Sequence, residues 1–179
     1  MANYSNRGYF LEKVINISNK QYLERNLALI NKIPTPTRIN PKKHTATFSE
    51  KSTVDFTGVS NGTFIAFDAK ETKTTNFPFN RLEPHQETYL KQAYKQKGQA
   101  FILILFTQEN TLYRLNIDEY VRLKKELERK SIPIQWFKDN KRPIVSENGV
   151  YYDYLNIANH IRGGVISGIH AKRSYHDVT

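Results

Sequence analysis

Asp55, Asp68 and Lys70 are the residues whose types and spacing invite a chemical reading. Hydrolysis of a phosphodiester needs a divalent cation to polarise the phosphate, a route to hydroxide, and positive charge at the developing pentacoordinate centre. Mg²⁺ prefers oxygen donors, usually one or two carboxylates with several retained waters. The stretch Thr53-Val54-Asp55 supplies one carboxylate, Asp55; after a turn containing Asn61-Gly62, Asp68-Ala69-Lys70 supplies a second carboxylate and an ammonium. Side chains alternate along a strand, so Asp68 and Lys70 share a face, and a hairpin brings Asp55 near Asp68. Such a set would clamp a metal with a cation beside it, Lys70 stabilising the transition state or orienting the attacking water. The plainer account of Asp-x-Lys is a surface salt pair of little energetic worth, and of Asp55 a turn cap. The upstream aspartate and the basic charge of the chain favour the chemical account.

The elements that must position these residues are legible in the pattern. Phe10, Leu11, Val14, Ile15, Ile17, Tyr22 and Leu23 recur at near-helical spacing, which predicts a helix within the first 25 residues. Residues 27–32 suit a short strand. Pro34-Thr35-Pro36 then halts regular structure, because each proline lacks an N–H and restrains its predecessor. Residues 37–51 are polar and basic, with Arg38, Lys42, Lys43, His44 and Lys51, and read as a protruding loop or arm rather than core. Residues 53–58, 59–62 and 63–70 read as strand, turn and strand, Asn-Gly being a strong hairpin signal. Phe64, Ala66, Asp68 and Lys70 fall on one face of the second strand, and Thr63, Ile65, Phe67 and Ala69 on the other. Residues 77–80 read as a loop. Pro84 opens a helix to about Lys97 that Gly98 ends. Strands at 99–106 and 111–116 follow, then a charged helix over 117–130. Residues 132–156 read as less regular, with Tyr151, Tyr152 and Tyr154 leading into a short helix. The order implies an α/β fold, a mixed sheet flanked by helices. One domain spans 1–165 with the arm inside it, and the basic tail 166–179 is expected to be mobile.

Composition narrows the function classes. The 179 residues carry 27 Lys and Arg against 17 Asp and Glu, a formal net charge of +10. A field of that sign attracts nucleic acid, membrane surfaces and acidic proteins alike. The content of 39% hydrophobic and 12% aromatic residues fits a folded domain rather than a disordered tail. No apolar run approaches membrane-spanning length, and the N-terminus lacks the order of a signal peptide. With no cysteine, any metal must be held by oxygen or imidazole, and a reducing cytoplasm is the expected location. His44, His160, His170 and His176 lack zinc-ligand spacing, and His85 reads as a polar residue at a helix start. Gly163-Gly164 lacks the setting of a phosphate-binding loop. Glu12 reads as an exposed or capping glutamate more readily than as part of a site. The three tyrosines near position 152 read as a core edge rather than as base-stacking groups.

Asp55 followed by Asp68-x-Lys70 resembles the pattern of the PD-(D/E)xK nuclease superfamily. More narrowly, the chain resembles RecU, the Holliday junction resolvase family of Gram-positive bacteria and some of their phages. The matching residues include Arg7-Gly8, Leu11-Glu12, Ile15-Asn16, Tyr22-Leu23-Glu24, Ala28-Leu29-Ile30, Lys32 and Pro34-Thr35-Pro36. They continue with Thr53, Asp55, Phe67 through Thr72, Phe77-Pro78 and His85-Gln86, in family order over the first ninety or so residues. The resemblance implies a restriction-endonuclease-like fold and a homodimer that grips a four-way junction and nicks two opposed strands. It implies Thr53, Asp55, Asp68 and Gln86 around Mg²⁺, with Mn²⁺ able to substitute, and Lys70 stabilising the transition state. It makes 37–51 a stalk toward the junction centre, so that Arg38, Lys42, Lys43 and Lys51, with Arg7, would contact DNA; a recombinase is a possible further partner. The chain departs from the family in three ways: Asp68 stands where glutamate is usual, Val54 where threonine is common, and the stalk is several residues shorter. Two other readings compete: a restriction-type or general repair nuclease using the same hairpin, and a non-catalytic junction-binding protein.

Overall fold

The computed structural model describes residues 9–34, 37–40, 45–48 and 53–156. Its centre is a five-stranded sheet in the order β1-β4-β5-β7-β8, built from β1 (Leu29–Lys32), β4 (Phe56–Ser60), β5 (Thr63–Thr72), β7 (Gln99–Phe106) and β8 (Thr111–Asn116). All neighbours are antiparallel except β5 and β7, which run parallel from Ile65↔Gln99 to Thr72↔Phe106. A parallel pair cannot be closed by a hairpin, and the crossover here is α2 (Pro84–Lys95). The sheet is therefore mixed and the fold α/β, as the order of elements predicts.

The hairpin that carries Asp68 has a two-residue turn. Asn61 and Gly62 take φ of 47° and 73°, the left-handed pair that matches the twist of the strands, and Ser60 pairs with Thr63. The turn is tighter than the expected 59–62, and Thr53 to Asp55 precede β4 rather than belonging to it.

Strand β7 is apolar on both faces because both are covered. Ala100, Ile102, Ile104 and Phe106 pack with Leu90 and Ala93 of α2 and with Tyr120 and Leu123 of α3 (Ile117–Glu126). Phe101, Leu103 and Leu105 pack on the other side with Leu11, Ile15 and Tyr22 of α1 (Tyr9–Glu24). Val150 and Tyr154 complete that second core, and the Tyr22 hydroxyl donates to buried Asp153 at 2.8 Å. The tyrosines thus divide: Tyr154 is buried, Tyr152 half-buried and Tyr151 exposed.

Residues 37–51, read as a loop or arm, contain regular structure. Strands β2 (Thr37–Asn40) and β3 (Thr45–Phe48) form a separate antiparallel ribbon, with Arg38 opposite Thr47. Alternating Thr37, Ile39, Thr45 and Thr47 suit that conformation. Arg7, Lys42, Lys43, Lys51, the short helix expected after Tyr154, Gly163-Gly164 and the tail lie outside the described residues.

Several local expectations are corrected by the structure. Residues 77–80 are not a plain loop: β6 (Asn76–Pro78) pairs with β9 (Ser131–Pro133), and a 3₁₀ turn, Phe79–Arg81, follows. That pairing requires 127–130 to turn back, so α3 stops at Glu126 rather than continuing to Lys130, and α4 (Ile134–Asn140) occupies a stretch read as irregular. Finally, Lys97 rather than Gly98 takes the left-handed position after α2, with φ 66°. Gly98 N–H closes the helix end on the Ala93 carbonyl at 2.9 Å, and a side chain there would press on the Ala93 and Phe64 carbonyls.

Candidate active site

Strand β5 and the first turn of α2 build the site. Asp68 and Lys70 follow Ala66 along the face of β5 that α2 covers, and Gln86 is the third residue of the helix. A reciprocal cap fixes that turn: the Glu83 side chain accepts from the Gln86 backbone, and Glu83 N–H donates to Gln86 Oε1 at 3.1 Å. Gln86 Nε2 is thereby aimed at Asp68 and donates to its Oδ1 at 2.7 Å. Lys70 Nζ lies 2.5 Å from Asp68 Oδ2 and donates to Gln86 Oε1 at 3.2 Å.

Asp55 reaches the same place from the other side of the hairpin. The ladder between β4 and β5 stops at Phe56↔Phe67. Beyond it the Asp55 carboxylate replaces a backbone acceptor, taking the Ala69 N–H at 2.9 Å, between Asp68 and Lys70. The Asp55 carbonyl accepts from Ile33 at 2.8 Å, which fixes the bend to the end of β1. The structure thus brings together Asp55, Asp68, Lys70 and Gln86. Thr53 lies two residues before Asp55 and is exposed.

Asp68 is fully buried. Burial pushes its carboxyl up to about 7; Lys70 opposes that shift, and the neighbouring Asp55 carboxylate adds to it. Its Oδ2 lies against the Lys70 ammonium at 2.5 Å, and no further hydrogen-bond donor among the described residues reaches that oxygen. A buried carboxylate with a second carboxylate, Asp55, beside it is a place that a hard cation fits. No group of three or more His, Cys, Asp and Glu side chains capable of holding a metal occurs among the described residues. Two carboxylates with the Gln86 side chain beside them suit an ion that keeps several waters.

The segments around the site are tied to it. Glu71 turns to the opposite face and accepts the Leu11 N–H at 2.8 Å, capping the first turn of α1 from the strand that carries Lys70. Arg81 Nη2 donates to the Glu71 carbonyl at 2.9 Å, holding the end of β5 to the segment that leads into α2. Spacing gives no signal for Arg81, a single arginine in an apparent loop. Glu12 pairs with Lys32 of β1, and His85 pairs with Glu83 at 3.5 Å. Nor does spacing mark Arg114: it is buried on β8, its guanidinium 3.8 Å from the centre of the Phe101 ring and donating to the Tyr154 carbonyl.

Comparison with known proteins shows the family of this chain. Residues 6–160 match the family described as RecU, recombination protein U. Proteins named Holliday junction resolvase RecU from Streptococcus pneumoniae strains CGSP14 and JJA are each 34% identical over 174 residues, covering 90% of this chain and 88% of the relative. Among solved structures, the Holliday junction resolvase Hjc of Archaeoglobus fulgidus aligns with a TM-score of 0.36 at 11% identity, over 59% of this chain and 74% of that one, a likeness too slight to weigh. With the family match running through both the β4–β5 hairpin and α2, this chain is a member of the RecU family.

Proposed function

We propose that this protein is a structure-selective endonuclease that resolves four-way DNA junctions by Mg²⁺-dependent phosphodiester hydrolysis, in recombination and repair. One observation carries the reading: buried Asp68, joined to Lys70 and Gln86, with the Asp55 carboxylate anchored on the peptide between Asp68 and Lys70. A surface salt pair would have no reason to be built from three separate segments and withdrawn from solvent. The relatives named as Holliday junction resolvases supply the substrate, branched DNA.

Asp55 and Asp68 would hold the cation, with Gln86 and Thr53 completing the oxygen set; Mn²⁺ is expected to substitute. When bound, the ion supplies Lewis acidity toward the scissile phosphate and acidifies the attacking water. Gln86 keeps Asp68 oriented through the 2.7 Å hydrogen bond. Lys70, already held beside Asp68, neutralises charge as water adds to phosphorus and the 3′ oxygen leaves. Two such sites in a homodimer would nick opposed strands symmetrically. Phosphate contacts from Arg7 and from Arg38, Lys42, Lys43 and Lys51 of the basic arm would provide affinity, and a recombinase is a further candidate partner.

The test is cleavage of a mobile four-way junction against linear duplex, with Mg²⁺ or EDTA, by wild type and Asp68→Ala. Paired, metal-dependent nicks confined to the junction and lost in the variant are expected. Equal cutting of linear duplex would favour a restriction-type nuclease, and binding without nicks under any metal would favour an architectural protein.

A further inference from the structure

An open groove of about 740 Å³ lies beside the first two turns of α2, outside the metal face and the arm. Phe79 and Leu82 are among its apolar lining, and its charged lining is Glu87, Lys124, Arg129 and Lys130. Lys124 Nζ sits 2.7 Å from Glu87 Oε2, so those two largely cancel. Arg129 and Lys130 are exposed and form no ion pair among the described residues. Glu126 and Glu128 are close in sequence but do not line the groove. The two cations stand on a fixed frame: Phe79 N–H donates to the Lys130 carbonyl at 3.0 Å, and the next residue, Ser131, pairs with Pro78.

The groove adjoins the reacting residues through a single helical turn. Pro84 and Glu87 line it, while Gln86 between them reaches Asp68. We infer that the groove takes the sugar–phosphate backbone of the duplex arm that flanks the nick, with Arg129 and Lys130 on its phosphates. Exposed cations with no ion pair among the described residues, set along an open channel, suit a repeating polyanion, which is bound by many weak charge contacts. A small anion would need converging buried donors, and a protein partner a broader apolar centre. The inference rests on the junction-cleaving reading for the identity of the nucleic acid.

The experiment compares wild type, Arg129→Glu/Lys130→Glu and the control Lys13→Glu/Lys20→Glu, whose two exposed α1 lysines carry the same change of net charge. Binding of a fluorescent four-way junction is followed by anisotropy in EDTA over a range of KCl, with melting temperature as the check on folding. The groove variant is expected to bind on the order of 10-fold more weakly at moderate salt than the control, with the log–log salt slope reduced by about 2. Its single-turnover cleavage rate at saturating protein is expected to match the control. Equal affinity and slope in the two variants would overturn the inference, because net charge alone would then account for any loss. A fall in single-turnover rate at unchanged affinity would also overturn it. If wild type cuts no junction, the reading of function fails while the binding comparison still decides the groove.

Discussion

A carboxylate withdrawn wholly from water, as Asp68 is, costs stability in the metal-free protein because its charged form is poorly solvated. Lys70 offsets part of that cost at 2.5 Å. In EDTA at pH 8, Asp68→Asn is therefore expected to raise the melting temperature by about 2–4 °C, near 1 kcal/mol, and in Mg²⁺ to eliminate cleavage. A melting temperature equal to or below wild type would mean that the Lys70 contact already compensates the buried charge. Asp55→Ala and Lys70→Ala are expected to reduce cleavage by at least ~100-fold, because each removes charge from the reacting centre. Junction affinity should change by less than about 3-fold, since it is spread over many phosphates. Wild-type cleavage by either variant would remove that residue from the mechanism. At this scale the sequence is most informative. Residue type and a spacing of two make Asp68 and Lys70 neighbours on any strand, whereas no local signal marks Arg81, whose partner is the Glu71 backbone.

Among the elements, the geometry of the site depends on how closely β1, β4 and β5 approach. Gly58 lies in the middle of β4, where a Cβ would sit 2.1 Å from the Leu29 carbonyl and 2.7 Å from the Ile30 Cα. Both neighbours are backbone and cannot swing aside. Gly58→Ala is expected to cost on the order of 2–3 kcal/mol in urea unfolding by forcing β1 away from β4. Because Ile33 N–H holds the Asp55 carbonyl, the variant should also lose activity; an unchanged unfolding midpoint would show that the strands tolerate separation. Strands β5, β7 and β8 and the start of α2 are readable because their signals are local: an Asn-Gly turn, a proline at the first helical position, and apolar runs of strand length. The end of α3 and strands β6 and β9 are not. Three residues at Asn76–Pro78 carry no period, and their conformation is set by pairing with Ser131–Pro133, more than fifty residues away.

Over the whole molecule, the two faces of the central sheet divide the work. The face with α2 and α3 carries the side chains proposed to react, and the face with α1 carries the second core, closed by Val150 and Tyr154. No helix among the described residues is long and apolar enough to cross a membrane. The unbroken apolar run of β7 announces a strand buried on both sides, but sequence alone does not say that residues from the two ends of the described chain fill one of them. The Tyr22 hydroxyl reaches Asp153 across 131 residues, and Tyr154 packs its ring edge-on to Tyr22. This closure has a consequence for biosynthesis. The ribosome delivers α1 first, and at about 5–20 residues per second the partners of Tyr22 follow roughly 7–26 s later. Ribosome-bound chains arrested before Val150 has emerged should leave α1 sensitive to protease, and chains arrested well beyond Tyr154 should protect it; early protection would show that α1 docks without them. Until that point the nascent nuclease exposes an unfinished apolar face, and chaperones that guard emerging chains would find their binding site on α1.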